Sequence, residues 1–271
     1  MPDPQMLRPM KFSEVIDQTF RLYRRSFLLL FGIGAVFYVP TSMMTSTPNP
    51  WVMIPGVVLT YAFMMLATGA ITKAVSDRYL GQPATIGGSY RFVAGRLGAL
   101  LLTTILVGLF IIAGMVLLIV PGIIFSLWVS FVVPILLIEG RAYTRAIERS
   151  RYLVGQGVWG RVLLMTTIVS VITSIVQVPL TMPLQMASTW LNMPSLMTLS
   201  GLFGGVAQAA TVPIGQVGLV LLYYDSRMRK EGFDLEILAR ELGERAAAIS
   251  ESPPDVAEPP AEPPPPESER A

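Results

Sequence analysis

The 271-residue chain contains no cysteine and no histidine. That excludes disulfides, Cys- or His-ligated zinc, thiol nucleophiles and every histidine-dependent catalytic triad. Charge is also scarce. Only 14% of residues are charged, against 52% hydrophobic, whereas soluble domains carry about 25% charged residues. The 20 basic and 18 acidic side chains nearly cancel, to +2, so the balance says little and the placement of the charges says most.

Three stretches hold no Asp, Glu, Lys or Arg: Ser26 to Thr72, Leu97 to Ile138 and Val162 to Tyr224. Each is at least twice the roughly 20 apolar residues that carry a helix across a bilayer core. A soluble globule of this size cannot hide so much uncharged chain. Each stretch also has a breaker near its middle: Thr47-Pro48-Asn49-Pro50, Pro121-Gly122, and Trp190 to Pro194. The expected fold class is therefore all-α, a polytopic membrane protein of six transmembrane helices in three hairpins, with short amphipathic cytoplasmic helices.

The basic residues give an orientation. Five precede the first span, from Arg8 to Arg25; others fall between Lys73 and Arg96, between Arg141 and Arg161, and after Asp225. All 20 then lie on one side, and the positive-inside rule places both termini in the cytoplasm of a multi-pass inner-membrane protein. A cleaved signal peptide is not expected, because no small-residue cleavage site follows the first apolar run.

The division reads as a cytoplasmic N-terminal segment (1–25), a six-helix membrane domain (26–232), a cytoplasmic amphipathic helix (233–250) and a disordered Pro/Glu-rich tail (251–271). In the first part, Phe12, Val15, Ile16, Phe20 and Tyr23 recur at helical spacing, as in a helix lying on the membrane surface. Ala84 to Arg96 and Arg141 to Gly155 repeat that role. Gly232 stops the last span. The hairpins also resemble one another: Ile54-Pro55-Gly56, Val120-Pro121-Gly122 and Val212-Pro213-Ile214-Gly215 would each open a second helix. Pro40, Pro134, Pro179, Pro183 and Pro213 would break helices locally.

Candidate sites are few. Arg141, Arg145 and Arg149 recur every four residues and form one basic stripe if a helix carries them. The stripe either holds anionic lipid headgroups or only sets orientation by snorkelling. Gln177, Gln208, Gln216, Thr103, Thr104, Thr166 and Thr167 are uncharged polar groups at depth; they line a substrate path or bond helix to helix. Gly201, Gly204 and Gly205 form a small-residue face for packing, within the chain or with a second copy. No phosphate-cradling loop, metal-ligand cluster or carboxylate pair is recognisable, so no cofactor or metal is expected. Basic residues that flank spans make no nucleic-acid surface. The expected partners are membrane lipids, with protein partners or a second copy of the chain.

Three segments together carry a family resemblance. They are Leu7-Arg8-Pro9 with Phe20 to Arg25; Tyr223-Tyr224-Asp225 with Arg229 to Asp234; and, between them, Pro121-Gly122-Ile123, Pro134, Glu139-Gly140, Ala146, Arg149-Ser150 and Leu153 to Gly155. The pattern resembles the membrane domain of the glycerophosphoryl diester phosphodiesterase family and related stand-alone prokaryotic inner-membrane proteins. The resemblance implies a six-helix membrane module, with Pro121, Gly122, Pro134, Glu139 and Ser150 as signature positions. In fused members catalysis belongs to a separate soluble barrel with metal-binding acids and histidine. This chain has no histidine, so the phosphodiesterase activity is not carried over. The expected function is a non-catalytic scaffold or accessory module that engages lipids or partner proteins. A transporter or exporter component for a small or lipid-like substrate is the alternative, and an interfacial lipid enzyme using Glu139 or Asp225 a third.

Overall fold

The structure is a computed structural model that describes residues 10–47, 49–155 and 157–231. The expected helix at 233–250, the tail, the stop at Gly232 and the Leu7-Arg8-Pro9 motif lie outside the described residues. Among the described residues there is no strand, and ten α-helices follow in order. They are α1 (Phe12–Arg25), α2 (Phe27–Thr45), α3 (Pro50–Tyr79), α4 (Ile86–Ala94), α5 (Leu97–Leu117), α6 (Ile119–Trp128), α7 (Val132–Pro134), α8 (Thr144–Val154), α9 (Trp159–Trp190) and α10 (Pro194–Glu231). Six segments are long and apolar enough to cross a membrane: α2, α3, α5, the run Val120–Glu139, α9 and α10.

Two of the expected breaks fall where the turn chemistry places them. The Asn49 side chain accepts a hydrogen bond from Trp51 N at 3.0 Å, with Pro50 in the first helical turn, where its missing N–H costs nothing. Asn192 takes a left-handed φ of 53° between α9 and α10. The middle break differs: Leu118 is extended, and Pro121-Gly122 sit inside the first turns of α6. There Gly122 lets α6 lie on α5, since a Cβ would meet Met115 Sδ at 2.5 Å.

The interior prolines do not break helices. α2 runs through Pro40, α9 through Pro179 and Pro183, and α10 through Pro213. Neighbouring helices and back-bonding Ser and Thr hydroxyls re-satisfy backbone groups freed by such prolines. Pro213 therefore lies mid-helix rather than opening one, so the Pro-Gly pairs of the three hairpins are not equivalent positions.

α10 is the axis. It packs against α1, α2, α3, α8 and α9, and its small-residue face explains why: a Cβ on Gly205 would meet Val39 Cα at 2.6 Å, and one on Gly201 would meet Ser42 O at 2.6 Å. Helix backbones come this close only where side chains are minimal. α1 is tied to the same axis. Met10 N donates to Asp225 Oδ1 at 2.7 Å and Tyr23 Oη to Ala210 O. Those acceptors are 15 residues apart, roughly 22 Å along the helix. The apolar face of α1 is thus turned to α10, with Val15 fully buried, rather than laid only on a surface. α5 and α6 pack chiefly on each other, through the stacked rings of Phe110 and Phe125, 4.4 Å between centroids.

Candidate functional site: the charged end of the axial helix

The run expected as the fourth span, with a local break at Pro134, is interrupted six residues earlier, after Trp128. α7 follows, then one π-helical turn, Ile135–Glu139, closed by Gly140 at φ 69°. Ser150 of α8 stitches the break: its Oγ donates to Trp128 O at 2.6 Å and accepts from Phe131 N at 3.1 Å. Two backbone groups freed by the break are thereby satisfied, as buried polar groups must be. π-turns recur at functional sites, and this one presents Glu139.

Glu139 enters a partly buried charge network. Arg149 Nε lies 2.9 Å from Glu139 Oε2, and its Nη2 reaches Glu231 Oε2 at 2.8 Å, while Nη1 donates to the other Glu231 oxygen. Arg227 Nε donates to Glu231 at 3.2 Å, and Tyr223 Oη donates to Glu139 Oε1 at 2.9 Å. Arg141 adds a more exposed contact to Glu139 at 3.3 Å. The side chain of Arg149 is only 13% exposed. Its hydrogen bond to Glu231 leads in raising its pKa; burial opposes the rise and Glu139 adds to it, so this cation stays charged.

A second cluster centres on Asp225, 1% exposed. Its Oδ2 accepts from Arg161 Nη1 at 2.9 Å and Arg229 Nε at 2.8 Å, while Oδ1 takes the Met10 amide. One carboxylate thus joins the segment before α1, the start of α9 and the end of α10. Beside it, Ser76 and Tyr224 hydroxyls lie 2.7 Å apart and Tyr79 stacks on Tyr224, which fixes α3. Lys230 donates to the carbonyls of Tyr152 and Gly155, closing the end of α8.

In comparisons with known proteins, no family model, no curated protein and no solved structure matches this chain.

The three arginines of the expected stripe do not share one helix face. Arg141 precedes α8, because Gly140 and Tyr143 both take positive φ and the helix begins only at Thr144. Arg149 turns inward to Glu139 and Glu231, and of the three only Arg145 is exposed without an ion pair among the described residues. The signature positions separate as well: Ser150 holds the break and Glu139 the network, Pro134 leads into the π-turn, and Pro121 and Gly122 lie on α6. Sequence reading placed Tyr223 and Arg229 only in the family pattern and Arg161 and Arg227 only among the orienting charges, and gave none of them a partner here. Their spacing to Asp225 and Glu231 along α10, at i and i+4, is the one signal that could have raised two of them.

The deep polar residues divide similarly. Thr103 accepts from Tyr143 N at 3.0 Å. Thr166 and Gln216 instead line a cavity of about 420 Å³ between α9 and α10, together with Ser170, Thr173 and Ser174. Thr166 donates to its own helix, at Val162 O and Leu163 O.

Proposed function

We propose that the chain is a multi-pass protein of the cytoplasmic membrane whose charged end faces the cytoplasm, with consecutive spans paired as hairpins. We read it as a non-catalytic scaffold or accessory module that engages lipids or partner proteins. The observation that carries this reading is the charged end itself. Glu139, Glu231 and Asp225 are each held by guanidinium groups, which fits a plate fastening helices rather than a carboxylate presented to a substrate. Arg141, Arg149, Arg161, Arg227, Arg229 and Lys230 gather on that same end, and the positive-inside rule places such an end in the cytoplasm. The kinship with the membrane domain of the glycerophosphoryl diester phosphodiesterase family belongs to the same proposal, since it names an accessory membrane module beside catalysis housed elsewhere. Any headgroup binding by Arg141 and Arg145 is part of it too.

A cysteine-free chain is a ready background for single-cysteine labelling. Membrane-impermeant maleimide added to intact cells should label Asn49→Cys and Asn192→Cys, and should reach Leu80→Cys and Arg151→Cys only after permeabilisation. Outside labelling at Leu80→Cys would overturn the hairpin arrangement and its orientation.

The transporter reading is favoured by one observation, the cavity between α9 and α10 that hydroxyl groups and Gln216 share with apolar side chains. Proteoliposomes discriminate the two. Protein-dependent flux of a small polar solute, lost in Gln216→Leu, would replace the scaffold reading with the transporter one; no flux above protein-free liposomes agrees with a scaffold.

A further inference from the structure

A cavity of about 480 Å³ opens between α5 and α8. Leu106, Leu109 and Phe110 form its wall on α5; Ile147, Glu148 and Arg151 form its wall on α8. One side is hydrocarbon and the other carries one acid and one base. Glu148 and Arg151 are three residues apart, hence neighbours on one helix face, and both are exposed. Yet neither makes an ion pair among the described residues, whereas Arg149 between them holds two carboxylates. The Arg151 guanidinium lies over the Trp128 ring at 4.4 Å, a contact that positions the cation through its π face and leaves its N–H edges unspent.

We propose that this cavity holds a zwitterionic phospholipid with a primary ammonium headgroup, phosphatidylethanolamine in chemical class. The inference rests on the reading that the chain sits in a bilayer and engages lipids, and it moves the specific contact away from the arginine stripe. The phosphodiester accepts from the Arg151 fork, whose planar donors match phosphate oxygens. The ammonium donates to Glu148, a carboxylate with acceptors only. An acyl chain lies against Leu106, Leu109 and Phe110, which would otherwise front an empty apolar wall. Each part of the lipid meets a group of matching chemistry. Phosphatidylcholine has no N–H to give Glu148, and phosphatidylglycerol sets an unbalanced anion beside it.

Native mass spectrometry of the purified full chain, exposed to phosphatidylethanolamine, phosphatidylcholine and phosphatidylglycerol of identical acyl chains, tests this. Wild type should retain phosphatidylethanolamine about tenfold over phosphatidylcholine, the scale of one charge-assisted hydrogen bond. Glu148→Gln should bring the two to parity, and Arg151→Gln should lower retention of all three lipids. Should Arg151→Gln elute as aggregate, Glu148→Gln carries the test, because that side chain is exposed and unpaired. Wild type that retains lipid without headgroup preference, or a preference unchanged in Glu148→Gln, overturns the cavity assignment and leaves lipid engagement standing. Wild type that retains no lipid overturns both.

Discussion

α9 and α10 are both long, apolar and proline-containing, yet they live in different surroundings. In their most apolar windows 61% of α10 is buried within the protein, against 11% of α9. The difference is written in side-chain size and end chemistry. α10 carries Gly201, Gly204, Gly205, Ala207, Ala209 and Ala210 along one half, so α2 and α9 approach its backbone. Its far end carries Tyr223, Tyr224, Asp225, Arg227, Arg229 and Glu231, which collect α1, α3, α8 and the start of α9. α9 presents Leu164, Val171, Ile175, Val178 and Met182 outward, and large aliphatic side chains on that face keep other helices away and suit lipid. In a bilayer apolarity alone does not drive helix association, because lipid tails are as apolar as leucine. Close packing and satisfied polar groups decide which helix becomes the axis.

The contrast can be broken at its strongest point first. Asp225→Ala strips three donors of their acceptor and leaves Arg161 and Arg229 uncompensated, which should cost about 3 kcal/mol or more. Thermal melting in detergent micelles should show the largest loss of any substitution named here, and an unchanged midpoint would mean that the cluster holds nothing together.

Gly205→Val comes next. Its side chain would drive into Val39 Cα and Tyr38 O, backbone atoms that cannot swing aside, for about 1–3 kcal/mol of overpacking. Unfolding in increasing dodecyl sulfate should shift accordingly, whereas wild-type behaviour would place α2 elsewhere.

Ser150→Ala should cost about 1–2 kcal/mol, since the Phe131 amide and the Trp128 carbonyl lose their shared partner. Quenching of Trp128 fluorescence by an aqueous quencher should rise as the break loosens.

The smallest effect sharpens the comparison from the other side. Ile175→Ala removes a side chain that is 67% exposed and should change stability by less than about 0.5 kcal/mol. A loss of several kcal/mol in the same melting assay would show that this face of α9 is covered, by another copy or another protein.

The apolar segments were legible because crossing a bilayer demands length and uniformity, and both are one-dimensional properties. So were the ends at Asn49 and Asn192, where residue type and turn geometry coincide. Pro121-Gly122 misled by three residues, because proline is tolerated inside a first turn and the break itself falls at Leu118, which carries no turn signature. The arginine stripe failed for a related reason. A four-residue spacing makes a row only if the helix has already begun, and Gly140 and Tyr143 delay it to Thr144. The near half of the charge network was within reach, since Glu139 lies beside the arginines it pairs with. Its far half was not: Glu231 stands 82 residues from Arg149 and Tyr223 stands 84 from Glu139, and nothing local in the chain announces such pairs.

Disulfide mapping in the cysteine-free chain tests the axial role of α10 most directly. A Cβ on Gly204 would lie 3.3 Å from Thr181 Cγ2, and a Cβ on Gly34 would lie 3.2 Å from Ala209 Cα, within reach of disulfide geometry. Mild oxidation of Thr181→Cys/Gly204→Cys and Gly34→Cys/Ala209→Cys in native membranes should give an intramolecular cross-linked peptide from each pair, identified by mass spectrometry. Absence of both cross-links in folded protein would contradict an architecture in which α2 and α9 pack on the small-residue face of α10.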